Sequence, residues 1–316
     1  MTIRDASPNP VFSIRGCIDD QVKDHSGETG GSCFSVHKNA TAGPVCDIIS
    51  LMEITTEYLG RKDLIFHQQK DGFRFGTDSV LLAWFASSFV RGDAKRTYRM
   101  LELGSNCGAV SILCAGRREN VLIDALEIMP GPCEVMRMNI KENSLSDRVR
   151  VFEHDIRDTA GMPREVKDLQ YNVVMFNPPF YRESTGPSSS RKGGGGTRLA
   201  GRFEENGGLR DFLAAASSRV VQSSGYIVFI MHSQRLAESF ALMKDLAIKP
   251  THLCAVHPFE DREASMFLMA GRKGSSGTDM KILPPLILNS RTPDGDIIVN
   301  DRIKKIYEEE HTDCFI

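Results

Sequence analysis

Along most of the chain the hydrophobic positions alternate between two periods. Short apolar runs bounded by glycine, proline or acidic residues read as buried strands. Each is followed by a stretch in which apolar residues recur every three or four positions, the signature of a helix. RMLEL (99–103) is a strand, GSNCG (104–108) a glycine turn and AVSILCAG (109–116) the start of a helix. VLIDALEI (121–128) predicts a second strand, MPGPCEVMRMNIKENSL (129–145) a helix, and RVRVFEHDI (148–156) a third strand. After a connector interrupted by Pro163 come the strand YNVVMF (171–176), the helix GLRDFLAAASSRVV (208–221) and the strand GYIVFIM (225–231). SQRLAESFALMKDL (233–246) is a further helix. THLCAVHPF and ASMFLMAGRK form an antiparallel pair across the polar turn EDRE (260–263), and PPLILN (284–289) adds one short strand. Strands and helices in this alternation predict an α/β fold around a mostly parallel sheet, finished by an antiparallel pair.

Upstream the pattern differs. LIFHQQKDGFRFGTDSVLLAWFASSFV (64–90) holds a strand-like piece, a turn at Asp71-Gly72 and a second extended piece, FRF. A helix then opens at Thr77 or Asp78, either of which suits an N-cap. SVLLAWFASSFV is apolar all round, so that helix should be buried. Residues 1–51 carry Gly, Ser, Thr, Asn and Asp without either period and are expected to be a disordered extension, with Met52 a candidate start. The expected domain is 52–316, its first part (52–97) a covering segment, and the acidic tail EEEHTD is expected to be solvated.

Composition narrows the function classes. The 316 residues are 41% hydrophobic and 25% charged, ordinary for a soluble globular protein, and no apolar run is long enough to span a membrane. No signal peptide opens the chain. Net charge is −2, so a nucleic-acid partner would need a local basic patch. The eight cysteines include no C-x-x-C pair and the eight histidines no metal-ligand spacing, which argues against zinc and a disulfide framework and fits a reduced cytoplasmic setting. His257, before a proline, reads as a loop or core histidine.

Candidate chemistry collects at strand ends. Asn177-Pro178-Pro179-Phe180 follows the YNVVMF strand, and two prolines make a stiff, extended corner where open α/β sheets bind ligands. The Asn177 amide oxygen and the Pro178 carbonyl could grip both hydrogens of an –NH₂ group, with Phe180 stacked on its flat carrier. A plain strand end and proline turn, with Phe180 in the core, fits the same residues. Gly104-x-Asn106-x-Gly108 offers a ligand helix N-terminal amides and close backbone approach. It is not G-x-G-x-x-G, and no P-loop lysine follows. Asn106 stands where positive φ is often needed. Glu127 lies 23 residues after Gly104, near the offset at which an acid meets ribose hydroxyls, and Asp155 ends the third strand. Directly after the corner, residues 182–202 hold five basic residues, Arg182, Arg191, Lys192, Arg198 and Arg202, against one acid. That stretch reads as a mobile linker or as a phosphate-neutralising loop.

MLELGSNCGAV, DALEI, HDI and VVMFNPPFY resemble the motifs of class I S-adenosylmethionine-dependent methyltransferases that modify exocyclic or amide nitrogens. HQQKDGFRFGTDSVLLAWFA and PPLILN are similar to one branch, the bacterial tRNA(Val) adenine-N6 methyltransferases. The resemblance runs from about Met52 to the end. It implies a Rossmann-like seven-stranded sheet with S-adenosylmethionine as cofactor, no metal, a tRNA substrate and a monomer in the cytoplasm. It implies that Glu102, Gly104, Asn106 and Gly108 shape the pocket for the methionine end. Glu127 would take the ribose hydroxyls, Asp155 and Ile156 would meet the adenine, and Thr77 and Asp78 would line the cofactor site. Asn177, Pro178, Pro179 and Phe180 would be catalytic. Phe180, Tyr181, Arg191, Lys192, Arg198 and Arg202 would face the substrate, and Asn177 would also border the cofactor. Asn106 departs from the glycine usual at its position.

Other planar amines fit the same corner: guanine N2 in ribosomal RNA, adenine N6 in DNA, or a release-factor glutamine, whose enzymes usually carry Tyr where Phe180 stands. A non-catalytic RNA-binding protein that keeps the fold is a further reading. A nicotinamide dehydrogenase has the wrong glycine spacing.

Overall fold

The computed structural model describes residues 53–59, 64–70, 72, 74–92, 96–180, 207–274 and 279–308. The expected extension 1–51 and the basic loop 182–202 lie outside these residues, as do Tyr181 and most of the acidic tail.

The strands are β3 Tyr98–Leu103, β4 Val121–Glu127, β5 Val149–Glu153, β6 Val173–Phe176, β7 Tyr226–His232, β8 Ile248–His257 and β9 Met266–Lys273. They are preceded by a hairpin, β1 Ile54–Tyr58 with β2 Ile65–Gln69, and followed by the short strands β10 Lys281–Ile282 and β11 Leu286–Ile287. A second small hairpin, β12 Asn289–Arg291 with β13 Ile297–Val299, comes last. The helices are α1 Thr77–Ser87, α2 Ala109–Arg117, α3 Pro130–Glu142, α4 Arg164–Lys167, α5 Leu209–Arg219, α6 Leu236–Asp245 and α7 Asp301–Glu308.

The main sheet runs β5-β4-β3-β6-β7-β9-β8, with β10 and β11 both added along β8. Neighbours from β5 to β7 are parallel, and β9 runs antiparallel between β7 and β8. The expected seven strands are therefore present, with PPLILN contributing β11 at the edge. The strands alternate sides as a pleat requires. Met100, Val173, Met175 and Val228 pack with α1, α2 and α3 on one face. Leu101, Leu103, Val174, Phe176 and Phe229 pack with α5 on the other. β6 is buried along its whole length, which explains its unbroken apolar run.

Several local expectations are corrected. β2 pairs backwards with β1, and Arg74 and Phe75 join no ladder; Phe75 sets its ring edge-to-face on Phe66 at 5.2 Å. Neither Thr77 nor Asp78 caps α1; Gly76 is its N-cap. Thr77 Oγ1 instead accepts a hydrogen bond from the Tyr307 hydroxyl at 3.1 Å. The fourth strand begins at Val173, because Tyr171 makes a single bridge to Val220 and the Asn172 side chain accepts from the Arg99 N–H. Helix α7 was not expected. Its Ile303 and Ile306 are buried, and Asn300 Oδ1 accepts from the Arg302 N–H at its start.

The register brings the site together. Leu103 pairs with both Leu126 and Phe176, and Glu127 pairs with Glu153. The carboxyl ends of four parallel strands thus finish nearly level. The chain runs outward from β3 through β4 and β5 on one side and continues through β6 and β7 on the other. This topological switch point opens a crevice between the turns after β3 and β6.

Candidate active site

A cleft occupies that crevice. Its floor is the turn after β3. Gly104 (φ 68°), Asn106 (φ 49°) and Gly108 (φ 88°) all adopt the left-handed conformation, so Asn106 takes up the backbone geometry its position calls for. A side chain at Gly108 would bring its Cβ within 2.7 Å of Met136, and one at Gly104 would press on the Phe212 ring at 3.0 Å. The turn therefore packs tightly beneath and leaves its backbone facing the cleft.

Two buried carboxylates brace the turn. Glu127, 7% exposed, accepts from the Asn106 N–H at 2.8 Å with Oε2 and from the Met129 N–H at 2.9 Å with Oε1. Glu102, 3% exposed, accepts from the Ser111 N–H at 3.0 Å and from the Ser111 hydroxyl, and so serves the first turn of α2 from the neighbouring strand. Burial pushes the Glu102 carboxyl up to about 8 despite those bonds, and it raises Glu127 as well. Asp155, two residues past β5, is held by Arg157 in a bidentate pair at 2.6–3.0 Å, which lowers its pKa. Burial pushes the Cys107 thiol up to about 12, so it lines the cleft as a neutral wall.

At the other end stands the Asn-Pro-Pro-Phe corner. Asn177 donates from Nδ2 to Asp78 Oδ2 at 2.8 Å, and its Oδ1 is buried with no hydrogen-bond partner. The Pro179 carbonyl accepts from Arg235, whose guanidinium also grips Glu238 at 2.9 Å. Phe180 lies half-buried, its ring 4.6 Å from that of His232 at the end of β7.

Of the candidate residues, Glu102, Gly104, Asn106, Glu127, Asp155, Ile156, Asn177 and Pro179 line the cleft. Gly108, Pro178 and Phe180 do not line it, nor do Thr77 and Asp78, though Ser79, next in the chain, does. Sequence reading did not single out Phe66, Gln68, Phe75, Ser79 or Phe212, which complete the walls. Phe212 is indistinguishable in sequence from any core aromatic of an amphipathic helix. The Gln68-Gln69 pair at the end of an apolar run was the one available signal for the covering hairpin. Among the described residues no His, Cys, Asp and Glu cluster could hold a metal ion, and no helix is long and apolar enough to cross a membrane.

The strand order and the glycine turn form the Rossmann-like sheet seen in methyltransferases of known structure. Residues 79–189 match the family described as "Methyltransferase small domain". The family match, the fold and the relatives below support a class I, S-adenosylmethionine-dependent N-methyltransferase. Two curated relatives carry the name tRNA1(Val) (adenine(37)-N6)-methyltransferase. That of Flavobacterium johnsoniae is 25% identical over 66% of this chain and 82% of its own length. That of Porphyromonas gingivalis is 23% identical over 71% and 84%. Among solved structures, a predicted O-methyltransferase from Agrobacterium tumefaciens shares the fold with a TM-score of 0.53 and 22% identity, covering 73% of this chain and 95% of that one.

The cleft suits its cofactor. Glu127 offers acceptor oxygens to ligand hydroxyls, the left-handed turn lets backbone approach a ligand closely, and Ile128, Met129, Pro132 and Ile156 give a flat ring an apolar seat.

Proposed function

We propose that the chain methylates the N6 amine of an adenine in tRNA. The observation that carries this reading is the buried, unpartnered Oδ1 of Asn177 beside the cleft. Leaving such an acceptor unpaired costs about 1–3 kcal/mol, and a substrate N–H is the group that would satisfy it. The names of the relatives support the adenine and the tRNA.

On this reading Asn177 Oδ1 and the Pro178 carbonyl each accept one hydrogen of the amine, which turns the nitrogen lone pair towards the cleft. Phe180, backed by His232, is the flat surface on which the base stacks. Glu127 accepts from the cofactor's ribose hydroxyls, Asp155 and Ile156 border its adenine, and Glu102, Gly104, Asn106 and Gly108 enclose its methionine end. When bound, S-adenosylmethionine supplies an electrophilic methyl group on a sulfonium. Holding the reacting atoms in line can remove up to about 7–11 kcal/mol of the barrier. No positioned base is needed, because the methylated nitrogen sheds its surplus proton to water. The target base must be splayed from its loop to reach the corner. Arg191, Lys192, Arg198 and Arg202 neutralise substrate phosphates, and the enzyme works in the cytoplasm.

The test is labelled-methyl transfer to total tRNA, ribosomal RNA, DNA and a release factor side by side, followed by nucleoside digestion. Label recovered from tRNA as N6-methyladenosine is expected. Label confined to another acceptor would overturn the substrate and keep the transfer chemistry.

A further inference from the structure

We infer that Asp78 is a positioning residue for transfer: it decides which atom of the Asn177 amide faces the acceptor amine. The inference rests on the amine-transfer reading above. An asparagine amide is nearly symmetric in shape, and turning it over exchanges an acceptor for a donor. An ionised carboxylate is acceptor-only, so the amide must show it an N–H. Asp78 Oδ2 takes the Asn177 Nδ2 hydrogen at 2.8 Å, which leaves Oδ1 as the atom without a partner. The other carboxylate oxygen is anchored, since Asp78 Oδ1 accepts from the Ser79 N–H at 2.9 Å. Gly76 makes room for this fold-back: a Cβ there would come within 2.8 Å of Asp78 Oδ1. The bond spans 99 positions of sequence and joins the start of α1 to the end of β6. It is also charge-assisted, which polarises the amide and strengthens its oxygen as an acceptor. Without Asp78, nothing in this pairing prevents the amide from presenting –NH₂ to an –NH₂ substrate.

The same polarity sets what the isosteric variant does. In Asp78→Asn the new Oδ1 stays on the Ser79 N–H, so the new Nδ2 faces Asn177. The Asn177 amide then turns over to accept from it and shows the cleft a donor. In the pair Asp78→Asn with Asn177→Asp, Asn at 78 donates to one oxygen of Asp at 177, and the other oxygen faces the cleft as an acceptor again.

The experiment compares wild type, D78N, N177D and the double variant in labelled-methyl transfer to whichever acceptor wild type labels. Thermal melts and S-adenosylhomocysteine affinity are measured alongside. D78N is expected to lose about 100-fold in kcat, with cofactor affinity and KM for the acceptor within about threefold of wild type. The double variant is expected to regain at least tenfold over either single variant. A merely structural Asp78 would tolerate the isosteric change and show no rescue. Wild-type-like kcat in D78N, or a double variant no better than the singles, overturns the role of Asp78 alone. Absence of label from wild type on all acceptors overturns the transfer reading and this inference with it.

Discussion

At the β4 end of the cleft both oxygens of Glu127 are met by backbone N–H groups; at the β6 end the Asn177 oxygen meets none. The first arrangement is complete before any ligand arrives. It stiffens the left-handed turn before any ligand binds. The second leaves one acceptor open, with its direction fixed by Asp78. An enzyme that must hold one reactant and select another by a hydrogen-bond donor needs both kinds of site. On the proposed reading one is satisfied internally, the other by the substrate.

The comparison can be broken first at Glu127. Glu127→Ala removes the acceptor for two turn N–H groups and the proposed ribose contact. Cofactor affinity should fall by about 10–100-fold, as expected for the loss of roughly 1–3 kcal/mol. At saturating cofactor, transfer should stay within a few-fold of wild type. Calorimetry and saturating-cofactor kinetics decide it; unchanged affinity with lost turnover would reverse the assignment of the two ends.

A smaller effect is expected at Glu102, where the folded pKa stands at about 8, above the ordinary carboxylate value of 4.5. Such a group contributes stability that is fully present below the unfolded pKa and is lost as pH rises through the folded one. The cofactor-free protein should therefore lose this contribution between about pH 4.5 and pH 8. Glu102→Gln, which cannot ionise, should flatten that slope and melt several degrees higher than wild type at pH 8. Parallel melting curves from pH 5 to 8 would show that Glu102 is not the group responsible.

The two ends also differ in how far the sequence revealed them. The β4 end was legible because its residues lie on consecutive strand-turn units, and parallel neighbours level the strand ends. Glu127 and Asp155 could be placed from their positions in that rhythm. The Asn-Pro-Pro-Phe corner was legible too, since proline geometry is local. What joins α1 to β6 was not. Asp78 reads as a cap when only its neighbours in sequence are considered, and its bond to Asn177 exists because the sheet order carries the two together. The β1–β2 hairpin escaped for a similar reason: Ile54-Thr55-Thr56-Glu57-Tyr58 has no clean alternation, and its pairing with β2 supplies the order. Helix α7 is short, and only Asn300 and the spacing of Ile303 and Ile306 announced it.

The most direct test of the open-acceptor claim is single-turnover methyl transfer by Asn177→Ala, on the acceptor that wild type labels, beside its affinity for S-adenosylhomocysteine. Loss of one preorganised hydrogen-bonding group at a reacting centre costs about 10²–10³-fold in rate. Asn177→Ala should lose at least that much while binding the cofactor analogue within a few-fold of wild type. Wild-type-like turnover in this variant would contradict the claim that the open oxygen of Asn177 holds the amine.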